Sequence, residues 1–242
     1  MTQRLDVIDV SHYNPVSNWN SVKSAGVVGV IFKASEGTGY EDPTLKPGAA
    51  AALKAGLAIC TYHFIRHGSI AEQMQFYWNV VDPEVGERMV IDYEDDSVTL
   101  DELHQAVQWL MDKSAQTDRN IQLTVYSGNT LKEKLGNSHD TLLAANTDLW
   151  LAQYTSGTPS WPSGTYPVYS LWQYSESGSV AGVDGDVDLN TFNGSRENCV
   201  KWIGPAGGEP APGPTPEVAT VTITTSGDVQ VIVNGVPVNA VS

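Results

Sequence analysis

Basic residues are scarce in this chain: 13 Lys and Arg stand against 28 Asp and Glu in 242 residues, a formal net charge of −15. Nucleic acid is excluded as a partner, because binding through counterion release needs clustered Lys and Arg, and no three basic residues are consecutive. Long apolar runs are missing too. None approaches the ~18 residues of a membrane span, so no membrane insertion is expected. The start, Met1-Thr-Gln-Arg4, passes at once into a strand-like run without the apolar core of a signal peptide. The expectation is a protein made in a cytoplasm, released by something other than a standard leader if it acts outside. Cysteine is limited to Cys60 and Cys199, which read as two free thiols made in a reducing cytosol rather than a disulfide. No Cys/His cluster has zinc spacing, and no metal or other cofactor is expected.

What is present is ordinary for a folded chain, with 41% hydrophobic residues, and the length suffices to bury a large core without staples. One composition break divides the chain. Pro205-Ala-Gly-Gly-Glu-Pro-Ala-Pro-Gly-Pro-Thr-Pro216 holds five prolines and three glycines in twelve residues, the mark of a semi-rigid extended linker. The expected organisation is a main domain at 1–204, a linker at 205–217 and a short tail at 218–242. All 13 basic residues precede the linker. The tail alternates as strands do, with turn signals at Ser226-Gly-Asp228 and Asn234-Gly235. Such a β-element is marginal alone; docking on its own barrel or self-association with a second chain is expected, and the alternative is a fragment of a wall-binding module.

Residues 1–204 read as alternating strands and helices. Apolar runs of strand length occupy 5–10, 27–34, 57–64, 89–94, 121–127, 149–154 and 169–174, with an eighth at 187–192. Helical stretches occupy 19–25, 43–55, 70–81, 100–116 and 130–135; the longest opens on Thr99-Leu-Asp-Glu102, an N-cap with acids in its first turn. Alternation predicts a parallel α/β sheet. Past residue 137 the connections are too short and polar for three more full helices. The expected fold is therefore an irregular, flattened, TIM-like β/α barrel with incomplete helices.

Carboxylates gather at strand ends. Asp9 ends the first run, and Asp92 and Glu94 end the fourth, two positions apart and so on one face, with Tyr93 pointing away. In barrels of βα units the C-terminal strand ends form the active face. Acids converging there repel one another, which raises at least one pKa towards that of a general acid, the equipment of a glycosidase. Aromatics at or near the same ends, Tyr62, Tyr126, Trp150, Tyr154 and Trp172, suit a sugar ring, whose C–H faces stack on them. The plain alternatives are helix caps for single acids and core filling for the two tryptophans.

Seven segments, Ile8-Asp-Val-Ser-His12, Ile31-Phe-Lys-Ala-Ser-Glu-Gly37, Tyr62-His-Phe64, Val90-Ile-Asp-Tyr-Glu94, Leu149-Trp-Leu-Ala-Gln-Tyr154, Leu171-Trp-Gln-Tyr174 and Val187-Asp-Leu-Asn190, follow in this order. Together they resemble glycoside hydrolase family 25, the Chalaropsis-type lysozymes, over about residues 5–203. The resemblance implies hydrolysis of the β-1,4 bond after N-acetylmuramic acid in bacterial peptidoglycan, with Glu94 as general acid and Asp9, Asp92 and Asp188 as surrounding acids. It implies an ion pair of Lys33 with Glu36 that shapes the site. It leaves two retaining routes open, a carboxylate nucleophile or attack by the substrate's own acetamido group oriented by Asp92. It also suggests a phage endolysin that waits in the host cytoplasm and then acts on the bacterial wall. A chitinase-like enzyme is disfavoured because its Asp-x-x-Asp-x-Asp-x-Glu pattern is absent. A non-catalytic wall-binding barrel is disfavoured by the intact acids. Asp184-Gly-Asp-Val-Asp188 imitates a calcium loop, but Leu189 and Ser195 stand where Gly and Glu are required.

Overall fold

The computed structural model describes residues 3–204 together with 232–233 and 236–237. In chain order the main unit runs β1 (Val7–Val10), α1 (Trp19–Ser24), β2 (Gly29–Glu36), β3 (Tyr40–Glu41), α2 (Leu45–Lys54), β4 (Ala58–Phe64), α3 (Ile70–Val81) and β5 (Arg88–Asp92). It continues with α4 (Leu100–Thr117), β6 (Gln122–Ser127), α5 (Asn129–Leu135), α6 (Thr141–Asn146), β7 (Thr147–Ala152), β8 (Leu171–Gly178), β9 (Val187–Phe192) and α7 (Arg196–Ile203). Strands β1, β2, β4, β5, β6, β7 and β8 are parallel neighbours in that order. Strand β9 lies antiparallel between β8 and β1 and closes the ring. Strand β3 is only a short antiparallel flap on the end of β2.

The expected irregularity falls where the sequence placed it. The connections 153–170 and 179–186 carry no helix. Local chemistry explains the well-placed helices. On α4, Thr99 accepts from the Glu102 backbone N–H while Glu102 reaches back to the Thr99 backbone, a full capping box. Helices α3 and α4 both stop at an aspartate in the left-handed region, Asp82 and Asp118, with φ of 45° and 54°. Two short helices, α6 and α7, escaped the sequence reading. The seventh strand also begins and ends two residues earlier than expected, which leaves Tyr154 in a loop.

Strand parity sorts the core into two layers. Val7, Ile31, Cys60, Val90, Tyr126, Trp150 and Leu171, one from each parallel strand, pack together inside the barrel with Cys199, Trp202 and Ile203 of α7. Residues of the opposite parity, among them Ile8, Phe32, Met89, Ile91 and Trp172, join a larger cluster with residues of the surrounding helices, such as Met74, Leu103 and Leu110. Helix α7 therefore plugs the end of the barrel opposite the strand C-termini. A Cβ on Gly29 would stand 2.2 Å from Ile203 Cδ1, so glycine leaves room for the plug. Cys60 and Cys199 are both buried there as free thiols, and burial pushes the Cys60 thiol up to about 12.

An ion pair between buried Arg88 and half-buried Asp148 locks the plug. Arg88 donates from Nε to the Trp202 carbonyl at 2.6 Å and from Nη1 to Thr124 Oγ1 at 2.6 Å and Asp148 Oδ2 at 2.8 Å. The Trp202 indole N–H donates to the same Asp148 oxygen at 2.7 Å, and the guanidinium lies 4.1 Å from the Trp202 ring.

Of the C-terminal segment, β10 (Ile232–Val233) and β11 (Val236–Pro237) pair antiparallel, Val233 opposite Val236. This pairing brackets the Asn234-Gly235 dipeptide. The linker at 205–217 and the strands expected at 218–231 lie outside the described residues, as does the basis for self-association through the tail.

The plug gives a direct test. Asp148→Ala leaves Arg88 buried without its counter-charge and is expected to cost about 3 kcal/mol, read as a lower urea midpoint at an unchanged m-value. A loss below about 1 kcal/mol would reduce the pair to the weight of a surface ion pair.

Candidate active site

Two positions along each strand from the inner apolar layer, the same parity meets the C-terminal rim of the barrel. Val7 is followed by Asp9, Cys60 by Tyr62, Val90 by Asp92 and Leu171 by Gln173. Strand β9 runs the other way, so its first residues reach the same rim, and its register sets Asp188 directly opposite Asp9. The result is a cleft of about 300 Å³ lined by Asp9, Tyr62, Asp92, Glu94, Tyr126, Trp150, Gln173 and Asp188.

The four acids differ in surroundings. Asp9 and Asp92 are buried, 6% and 5% exposed, Asp188 is half-buried, and Glu94 stands exposed at the mouth just past the end of β5. Burial, then repulsion from Asp188, pushes Asp9 well above the usual carboxylate range, against the pull of hydrogen bonds from Asn190 and Gln173. Burial and then Glu94 push Asp92 well above it, with Lys33 opposing. Glu94 is raised by desolvation and by Asp188, with Lys33 and Arg66 opposing. Asp188 is raised chiefly by desolvation. Asp92 Oδ1 is buried with no hydrogen-bond partner, the one such side-chain atom among the described residues. Native proteins rarely leave such an atom orphaned, which makes this oxygen a candidate acceptor at the site.

The remaining sequence-derived candidates fall in several places. Lys33 and Glu36 form their ion pair at 2.6 Å, beside the cleft rather than in its lining. Arg66 joins it, 2.7 Å from Glu36 and 2.9 Å from Asp95. Burial opposes ionisation of Glu36, but Lys33 and Arg66 together hold its carboxyl below the ordinary value. Trp150 floors the cleft and donates its indole N–H to Asn190 Oδ1 at 2.7 Å. Tyr154 is half exposed at 49% and donates to Gln173 Oε1 at 2.9 Å. Trp172 is not in the cleft. Its parity is that of the outer layer, where it is 1% exposed between Tyr169 and Tyr174 and donates to the Gln153 carbonyl at 2.7 Å. Gln173 and Asn190 were missed, although Asn190 stands two residues after Asp188 and Gln173 interrupts an apolar and aromatic strand.

The calcium-like loop has a structural use. Asp184 Oδ1 accepts from Ser17 at 3.2 Å and the Asp186 carbonyl accepts from Asn14 at 3.0 Å, stitching it to the loop after β1. Among the described residues no three His, Cys, Asp or Glu side chains stand close enough to hold a metal ion, and no helix is long and apolar enough to cross a membrane.

Acids with unequal environments beside tyrosines, at the C-terminal rim of a β/α barrel, are the equipment of a glycoside hydrolase. Residues 8–183 match the model of the glycosyl hydrolases family 25, and the chain belongs to that family. It is 32% identical over 208 residues to Lysozyme M1 of Streptomyces globisporus, a match covering 80% of this chain and 69% of that protein. It is 30% identical over 190 residues to the autolytic lysozyme of Clostridium acetobutylicum, covering 77% of this chain and 55% of that one. The crystal structure of a bacterial lysozyme from Streptomyces coelicolor superposes with a TM-score of 0.72 at 29% identity, covering 84% of this chain and 98% of the other.

Crowded acids carry a cost that titration reveals. Asp92 holds its proton more tightly in the folded chain than in the unfolded one, so folding binds protons once pH passes the ordinary carboxylate value, and the site weakens the fold as pH rises from there. Asp92→Asn is therefore expected to stabilise the protein at pH 7 by about 1–2 kcal/mol and to flatten the decline from pH 4 to 7. Melting temperatures across that range check it, and destabilisation by Asn at pH 7 would show that the carboxylate is supported rather than strained.

Proposed function

We propose that this chain is an N-acetylmuramidase, a lysozyme that hydrolyses the β-1,4 bond between N-acetylmuramic acid and N-acetylglucosamine in bacterial peptidoglycan. The observation that carries the reading is the pairing of an accessible, proton-holding Glu94 with a buried Asp92 that lines the same cleft and has an oxygen without a hydrogen-bond partner. Glu94 reaches solvent and substrate, and its raised pKa keeps a proton for the leaving glycosidic oxygen. Asp92 Oδ1 is an acceptor awaiting a donor, and the N–H of a 2-acetamido group is a donor of the right chemistry. Held in that way, the acetamido carbonyl oxygen attacks the anomeric carbon from the face opposite Glu94. The glycosidic C–O bond breaks as the Glu94 proton passes to the leaving oxygen, and water later opens the cyclic intermediate with Glu94 acting as base. Asp9 and Asp188 supply negative potential for the oxocarbenium-like centre. Tyr62, backed by the buried Tyr126 and Trp150, gives the sugar apolar surface, and Tyr154 extends that surface to the rim. Lys33 and Arg66, tied to Glu36, limit how far the acids repel one another. The lysozyme activity of the two relatives supports the same substrate class.

Glu94→Gln keeps shape and hydrogen bonding but has no proton to transfer, and is expected to lower the rate on purified sacculi by roughly 10²–10⁴. Digestion by the wild type is expected to expose N-acetylmuramic acid as the new reducing end, identified after borohydride reduction. Clearance by Glu94→Gln within about threefold of wild type, or reducing N-acetylglucosamine, would overturn the assignment.

A further inference from the structure

Asp9 is held by two carboxamides, and each carboxamide is itself held by aromatic donors. Asn190 donates from Nδ2 to Asp9 Oδ2 at 2.7 Å while its Oδ1 accepts the Trp150 indole N–H at 2.7 Å. An indole N–H can only donate, so Asn190 cannot turn round without losing both bonds. Gln173 donates from Nε2 to Asp9 Oδ1 and Oδ2 at 3.2 and 3.1 Å. Its Oε1 accepts two hydroxyls, Tyr126 at 2.8 Å and Tyr154 at 2.9 Å. Gln173 and Asn190 are 2% and 0% exposed, so water does not substitute for any of these partners.

Asp188 comes from β9, Asp92 and Glu94 from β5 and the residues after it, Tyr62 from β4, Tyr126 from β6 and Tyr154 from the loop after β7. Lys33 on β2 acts on Asp92 and Glu94 and is paired with Glu36. The acids all disfavour a charge on Asp9, and the amide N–H groups favour it. Both amide donors fall on Asp9 and none on Asp188, so the amides offset part of the penalty that burial and Asp188 place on the Asp9 charge.

We propose that Gln173 is a positioning residue whose orientation, locked by Tyr126 and Tyr154, fixes the Asp9 carboxyl under the cleft and favours its charged form. The proposal rests on the reading of this cleft as a glycosidase site, and it assigns a use to Tyr154 beyond contact. The half-exposed ring lies where a sugar can reach it, while its hydroxyl reaches Gln173 and, through it, Asp9.

The test reads the carboxyl group directly. In the full chain with 13C-labelled aspartate, side-chain carboxyl titrations by NMR are compared between wild type and Gln173→Met, which keeps length and removes the amide donors. Loss of charge-assisted N–H bonds is expected to raise the Asp9 midpoint by about one pH unit or more. The acid limb of kcat/KM on soluble peptidoglycan fragments is expected to move up with it, while KM at the optimum changes less than about threefold. Tyr154→Phe retains Gln173 and the ring but removes one of the two locking hydroxyls; it is expected to shift the midpoint in the same direction by less. An unchanged Asp9 midpoint in both folded variants would overturn the proposal, as would a downward shift in either. Failure of the wild type to cleave the fragments would instead overturn the glycosidase reading, and the titration would still decide the clamp.

Discussion

Closure of the sheet by β9 is the constraint on which the rest of the molecule depends. Seven parallel strands alone would end in two open edges, at β1 and β8, each presenting unpaired backbone groups. An eighth parallel strand would need another long crossover; an antiparallel one needs only the short connection 179–186. Running β9 backwards has a chemical consequence. Its first residues, not its last, reach the active rim, so Asp188 lies opposite Asp9 and Asn190 lies one inward-facing position deeper. The dyad and one of its two amide supports follow from that single reversal.

The site gathers four acids into a small cleft in a chain already short of cations. The molecule offsets the repulsion in three ways. Lys33 and Arg66 stand beside Glu36 at the rim, amide donors converge on Asp9, and the protons themselves stay bound at raised pKa. Stability is recovered elsewhere. The plug of α7, with Arg88 and Asp148 bridged to Trp202, packs the other end of the barrel. Strain at the functional rim and dense packing at the opposite end is the division expected when a fold carries a site that works against its own stability.

Much of this was legible in the chain because local rules govern it. Period-two alternation marks strands whether or not their partners are known, and the helix at 70–81 has the same bounds in sequence and structure because its apolar spacing and ends are local. Asp92 and Glu94 share a face because strand geometry requires it. The seven family segments carried the site acids, and the acids are where those segments put them. By contrast, α7 carries few local signals beyond Ser195, whose side chain caps it; it forms against the open end of a barrel that only the assembled sheet creates.

The sequence by itself determined the α/β order, the lack of full crossover helices at 153–170 and 179–186, and the clustering of carboxylates at strand ends, since each depends on neighbours within a few residues. Only the tertiary structure decided that Trp150 faces the cleft and Trp172 the outer layer, and that Gln173 and Asn190 point their amides at Asp9. It also decided that one oxygen of Asp92 is left without a partner. These depend on strand register and on contacts between residues as far apart as Asp9 and Asn190. Register is set by closing the whole ring, and no single strand contains it.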